Sequence, residues 1–411
     1  MTKVNKLTNY IKILKGVDRR TQYLGGIFII LVLMACYLRL KLMPAETFDY
    51  TNFLLPWHKY LEQKGLSAFH DNFANYNTPY LFLLWIITLL PLGPLAGIKL
   101  LSIGFDFVLA AAVFAIVAYY RPKSYSPYIA FLATLFLPTV FLNSSLWGQC
   151  DAIYTSFGLW AFYFCLRNRQ FAAWLLWGIA FSFKLQAIFF LPFLLFYSLH
   201  KRWRWYAPLV AVAAFAVLSV LPILEGRSLS STLGIYLLQA KDPVGGQPAL
   251  AWYSPTFGQL LPGGGFFYHY FKQAMLVMGA VAGLLVVSLA FLKDKFSDKQ
   301  VLNILAISLF VVPFLLPGIH ERYLFSAEII ALVASFVLPR FVWAAITMQI
   351  VTIITYNSYF TGGSQIPQIS YSILALAVLG IICFMTQQLY LRLTGAGLYA
   401  EETKVIAKKR Q

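Results

Sequence analysis

Residues 22–43 read QYLGGIFIILVLMACYLRLKLM, and residues 44–50 behind them read PAETFDY. The first run is apolar and about 20 residues long, the length of one helical crossing of a bilayer. The second turns polar and opens a long loop, 44–79, in which Glu46, Asp49, Tyr50, Trp57, His58, Tyr76, Asn77 and Pro79 stand out. Apolar runs separated by polar connections then recur along the chain. Of its 411 residues 60% are hydrophobic and 11% are charged, against roughly a quarter charged in soluble domains. Only helices and closed barrels satisfy the backbone in lipid, and these continuous runs lack the alternation of barrel strands. The sequence predicts an all-α polytopic membrane protein, one domain over 1–411, with about 10 full spans plus short re-entrant or half-membrane helices.

The net charge of +17 lies in short clusters between the apolar runs: Lys3 to Arg20, Arg121 and Lys123, Arg167 and Arg169, Lys201 to Arg204, Lys293 to Lys299, and Lys404 to Arg410. That is the positive-inside pattern with attraction to anionic lipid, so the partner it implies is the bilayer and not nucleic acid. Both termini are expected in the cytoplasm. The first apolar run is too long for a cleavable signal and lacks a small-residue cleavage site. Cys36, Cys150, Cys165 and Cys383 have no metal-ligand spacing and read as residues of the apolar interior.

Full spans are expected at 22–43, 98–120, 126–144, 152–166, 206–223, 273–292, 301–317, 323–338, 341–357 and 371–389. The short run 79–95, broken by Pro91, Gly93 and Pro94, reads as re-entrant. The run 171–199 has cations at both ends and too few residues for two crossings, so it reads as two half-helices with Lys184 near their apex. This topology puts loops 44–79 and 225–272 outside the cytoplasm. It also places Asp49, Asp151 and His320-Glu321-Arg322 together on that external face, as one site.

Each cluster has a chemical and a plain reading. Asp49 suits a general base just above the bilayer, with Glu46 as its alternative; it also suits a solvated loop acid or a helix N-cap. In Ser145-Leu-Trp147-Gly-Gln149-Cys-Asp151, Gln149 and Asp151 could hold sugar hydroxyls over Trp147, or Asp151 could support the first turn of the next helix. Arg322 could clamp a phosphate with His320 beside it, or pair with Glu321 and anchor a span end. Lys184 is costly in lipid without phosphate, water or a carboxylate such as Asp106. Tyr236, Trp252, Tyr253 and His269 could stack on sugar or lipid, or serve as interfacial anchors. No local ligand spacing argues for a metal, and no cofactor is expected.

These residues resemble a family. The acid after the first span (Asp49, then Trp57 and His58) and the Tyr76-Asn77-Thr-Pro79-Tyr80 segment look like a GT-C type glycosyltransferase. So do Ser145-Leu-Trp-Gly-Gln-Cys-Asp151, Phe183-Lys184-Leu-Gln186 and His320-Glu-Arg-Tyr323. The chain is similar, over residues of about 22–340, to the mannosyltransferases related to the second mannosyltransferase of GPI-anchor synthesis. The resemblance implies a polyprenyl- or dolichyl-phosphate sugar donor and inverting transfer to a hydroxyl of a glycan, glycolipid or other acceptor. It implies an extracytoplasmic site with Asp49 as base. Many relatives carry paired acids in this loop; here Tyr50 follows Asp49, which departs from that pattern. The expectation is a mannosyl transferase in a bacterial plasma membrane, with a flippase of lipid-linked saccharide or a glycan ligase as rivals. Clusters on one face and the lack of an internal repeat favour the transferase over the flippase.

Overall fold

The computed structural model describes residues 18–236, 249–262, 267–292, 296–362 and 368–394. The tail cluster Lys404–Arg410, most of the N-terminal one and parts of loop 225–272 lie outside them. Helix α1 (Arg19–Leu42) starts on Asp18, whose carboxylate accepts from the Thr21 amide at 2.6 Å. The expected loop 44–79 is largely helical: a π turn at Tyr50–Leu54, α2 at Leu55–Lys64 and a 3-10 turn at Gly65–His70. There follow α3 (Thr78–Thr88), α4 (Pro94–Tyr120), α5 (Ser126–Phe136) and α6 (Pro138–Phe141), which runs into a second π turn at Leu142–Trp147. Next come α7 (Asp151–Leu166), α8 (Gln170–Phe183), a 3-10 turn at Leu185–Phe190 with α9 (Leu191–His200), and α10 (Leu209–Leu218). The short α11 (Val220–Leu224) and α12 (Leu229–Leu233) lead to β1 (Ala251–Trp252) and α13 (Tyr268–Ser288). The chain closes with α14 (Asp298–Leu315), β2 (Ile319–His320), α15 (Phe325–Val337), α16 (Val342–Phe360) and α17 (Gln368–Leu393). β1 and β2 pair in parallel, Ala251 beside Ile319 and Trp252 beside His320.

One continuous apolar core joins these elements. α7 lies against α4 and α8, and α8 against α10. Gly178 permits that last contact: a Cβ there would stand 2.6 Å from the Ala211 Cα. α14 is central, touching α13, α15 and α17, with 72% of its apolar stretch buried against 11% for α1. The outer residues of α1, such as Ile29 and Leu33, are open, as lipid-facing residues are in a protein whose solvent is hydrocarbon.

The protein is a polytopic, membrane-embedded helical protein, but not one of about ten crossings. Among the described residues six helices are long and apolar enough to cross: Arg19–Leu42, Pro94–Tyr120, Tyr268–Phe291, Asp298–Leu315, Pro339–Phe360 and Ser370–Leu393. A seventh arises if Ser126–Phe136 and Pro138–Trp147, bent by 47° at Leu137–Pro138, count as one. The expected spans at 152–166, 206–223 and 323–338 are helices of 16, 10 and 13 residues. At 1.5 Å per residue the longest covers roughly 24 Å of a ~30 Å core. Ser219 interrupts the helix in 206–223, and the chain leaves helical form over 316–324. The reason is that apolar sequence reports burial, and burial has two sources. All but two residues of α15 are buried inside the protein, so its hydrophobicity serves the core. α3 is 11 residues long, and 171–199 divides into α8 and α9, with Lys184 extended between them (φ −155°, ψ 136°).

Candidate active site

Two π turns set the first carboxylate. Asp49 immediately precedes Tyr50–Leu54, and its side chain caps no helix. The second π turn, Leu142–Trp147, ends on Gly148, whose φ of +79° is the left-handed region that glycine enters without strain. The reversal there brings two donors from neighbouring residues onto one oxygen: Trp147 Nε1 donates to Asp49 Oδ2 at 3.0 Å and Gln149 Nε2 at 2.5 Å. The Tyr359 hydroxyl on α16 donates to Asp49 Oδ1 at 2.6 Å while its ring stacks on Trp147. The Asp49 side chain remains 13% exposed. π turns interrupting helices recur at functional sites, and here each adjoins a residue of the cluster.

Lys99 joins the two segments from behind. It sits fully buried on α4 and donates to the carbonyls of Met43 (3.0 Å), Ala45 (2.5 Å) and Leu146 (2.9 Å). An ammonium has three donors, and all three are used.

The second carboxylate, Asp151, is the first residue of α7, where a helix N-terminus favours negative charge. Asn143 Nδ2 donates to its Oδ2 at 2.9 Å and Lys184 donates to its Oδ1. The Lys184 ammonium also lies 5.9 Å from the Tyr76 ring and 5.8 Å from those of Tyr154 and Tyr323. Lys184 thus pairs with Asp151 and not with Asp106. Asp106 instead holds Arg39 of α1, with N–O contacts of 2.9 Å, and accepts from Ser144 at 2.6 Å.

The third group follows β2. Arg322 Nη1 is 3.1 Å from Glu321 Oε1 and 3.6 Å from Asp49 Oδ2, and its Nε is 3.6 Å from Asp151 Oδ2. Its guanidinium lies over Trp147 at 5.2 Å. Burial disfavours the Arg322 cation, but the Asp49 and Glu321 carboxylates outweigh that and hold its pKa well above the ordinary value. Burial likewise acts to raise the Glu321 carboxyl, and His320 and Arg322 more than reverse it. His320 Nδ1 stands 3.7 Å from Glu321 Oε2, and its ring lies parallel to Trp252 across the β1–β2 pair.

Asp49, Trp147, Gln149, Asp151, Lys184, Glu321 and Arg322 therefore meet in one place, with Tyr76 and His320 at its edge. Among the described residues no hydrogen bond joins four others singled out in the sequence to this cluster. Trp57 lies behind Tyr76, 5.4 Å between ring centres. Asn77 accepts from the Thr78 amide and donates to the Ser182 carbonyl at 2.8 Å. His58 is buried with neither ring nitrogen hydrogen-bonded, and burial lowers its pKa despite Glu62 nearby. Gln186 is buried with its Oε1 unbonded. Tyr253 reaches the rim against Tyr359, whereas the Tyr236 hydroxyl donates to backbone carbonyls of Phe181 and Ser182. Tyr359, Asn143 and Lys99 were not anticipated. Lys99 alone carried a signal, an ionisable residue inside an apolar span. The chain matches no protein-family model and no curated protein.

Proposed function

We propose that the protein is a membrane glycosyltransferase that moves a hexose, with mannose the first choice, from a polyprenyl-phosphate donor to an acceptor hydroxyl. The observation that carries this reading is the Asp49 carboxylate, held by three neutral donors, partly open, and 3.6 Å from the guanidinium it shares with Asp151. Three of a carboxylate's four acceptor directions are used, which leaves one for an incoming hydroxyl. In the proposed step the acceptor oxygen forms a bond to the anomeric carbon as its proton passes to Asp49. The bond from that carbon to the phosphate oxygen breaks on the opposite face, its electron pair leaves with the lipid phosphate, and the configuration inverts. Arg322, His320 and Lys184 are the donors nearest to meet the departing phosphate, and Gln149 and Asp151 orient sugar hydroxyls. The charge clusters support a site on the extracytoplasmic side with the termini in the cytoplasm, and the bacterial plasma membrane is the placement we propose.

The test is transfer by purified protein in lipid, from radiolabelled polyprenyl-phosphate-mannose to a mixed acceptor extract, comparing the natural protein with Asp49→Asn. The expected result is transfer by the former and donor binding without transfer by the variant. Lipid that changes leaflet with no sugar transferred, across several sugar donors, would overturn the reading in favour of a flippase.

A further inference from the structure

Three carboxylates face one cation in this site, and they come from three separate parts of the chain: Asp49 ahead of the first π turn, Asp151 at the head of α7, and Glu321 beside β2. Like charges gathered around one group repel, and among the described residues no hydrogen bond joins one of these carboxylates to another. What lies among them is the Arg322 guanidinium, in contact with all three at 3.1–3.6 Å. Its planar fork offers five donors in fixed directions, against the three of a rotating ammonium. Lys99 and the Trp147 and Gln149 donors already join the Asp49 and Asp151 segments; among the described residues Arg322 is the cation that reaches both of their carboxylates from the segment after β2. Glu321 is its nearest contact, through Oε1 at 3.1 Å, while Oε2 is buried without a hydrogen bond and faces His320 Nδ1 at 3.7 Å. We infer that Arg322 is a positioning residue, the cation that docks the segment after β2 onto the joined Asp49 and Asp151 segments before any phosphate arrives. This deepens the transferase reading by giving Arg322 a task in the resting protein.

The experiment is a thermal-melting cycle on the full chain in lipid nanodiscs, with Arg322→Ala, Glu321→Gln and the double variant. Glu321→Gln alone is expected to lower the melting temperature, because it removes the closest partner of Arg322. In the Arg322→Ala background the same change is expected to raise it, because it removes an uncompensated buried charge. Methylguanidinium is expected to raise the melting temperature of Arg322→Ala, and methylammonium at the same concentration to leave it where it was. Independent, additive losses with no response to methylguanidinium would overturn the inference. Should Arg322→Ala not fold, Arg322→Lys serves: melting equal to the natural protein would overturn the bridge, and a clear loss would support it. The cycle reads the bridge whether or not the chain transfers sugar. Where transfer is measurable, the expected loss for Arg322→Lys is about 100-fold in kcat, with donor KM little changed. A rise in KM alone would mark a phosphate clamp instead.

Discussion

Asp49 is read in the sequence as a base, a solvated acid or a cap, and its neighbours argue against the cap. It caps nothing, and its three hydrogen bonds come from Trp147, Gln149 and Tyr359. Trp147 and Gln149 were legible because they flank a glycine in a compact polar motif. Tyr359 was not, because it lies 310 residues away and reads as an interfacial aromatic at a span end. Tyr359→Phe keeps the ring on Trp147 and removes only the hydroxyl. A hydrogen bond to a charged group contributes roughly 1.5–3 kcal/mol, so the melting temperature is expected to fall, and kcat to fall at least about 10-fold as Asp49 loses a positioning donor. A steady-state comparison of the two proteins checks this. His58 makes a second prediction at this scale. Burial depresses its folded pKa below the ordinary 6.5, so the unfolded chain binds the extra proton first. Its contribution is complete above about pH 6.5 and declines as pH falls from there to the lower folded value. His58→Phe is therefore expected to flatten the loss of melting temperature between pH 7 and pH 5, read by the same melting assay.

Single helices and turns explain why the donors converge. The backbone at Gly148 takes φ +79°, and a Cβ there would stand 3.6 Å from Lys99, so space is adequate but the conformation is strained. Gly148→Ala should cost about 1–2 kcal/mol of stability and shift Trp147 and Gln149 away from Asp49. The expected outcome is a larger loss of transfer than of melting temperature. Lys99→Met is the opposite case. It strands the carbonyls of Met43, Ala45 and Leu146, each costing about 1–3 kcal/mol if left unsatisfied, and is expected to lower the melting temperature by more than Gly148→Ala does. The sequence displayed Lys99 as plainly as Lys184, yet only Lys184 sat at an evident break in its apolar run. The π turns were not readable at all, since the extra residue they insert depends on tertiary contacts and not on a distinctive composition.

The shortened helices and the site have one cause at the scale of the whole molecule. α7 begins at Asp151, α8 ends just before Lys184, α15 begins three residues after Arg322, and α3 begins at Thr78 just after Tyr76 and Asn77. These helices stop where their ends supply the polar cluster. Non-helical backbone at membrane depth is tolerated only where protein or a water-filled cavity covers it. Hydropathy shows the apolar runs but not that their ends turn inward, which is why it suggests more crossings than the fold contains. The proposed transfer requires a site that water reaches from one side. In a chain with Cys36, Cys150, Cys165 and Cys383 replaced by serine, His320→Cys and Asp71→Cys should both react with a membrane-impermeant thiol reagent, because His320 and Asp71 are both partly open. Ser326→Cys, at a fully buried position on α15, should stay unreactive. In sealed vesicles of known orientation, His320→Cys and Asp71→Cys should label from the same side. Labelling of those two positions from opposite sides would separate the hairpin after α1 from the Arg322 segment, and a site open to one compartment would then be excluded.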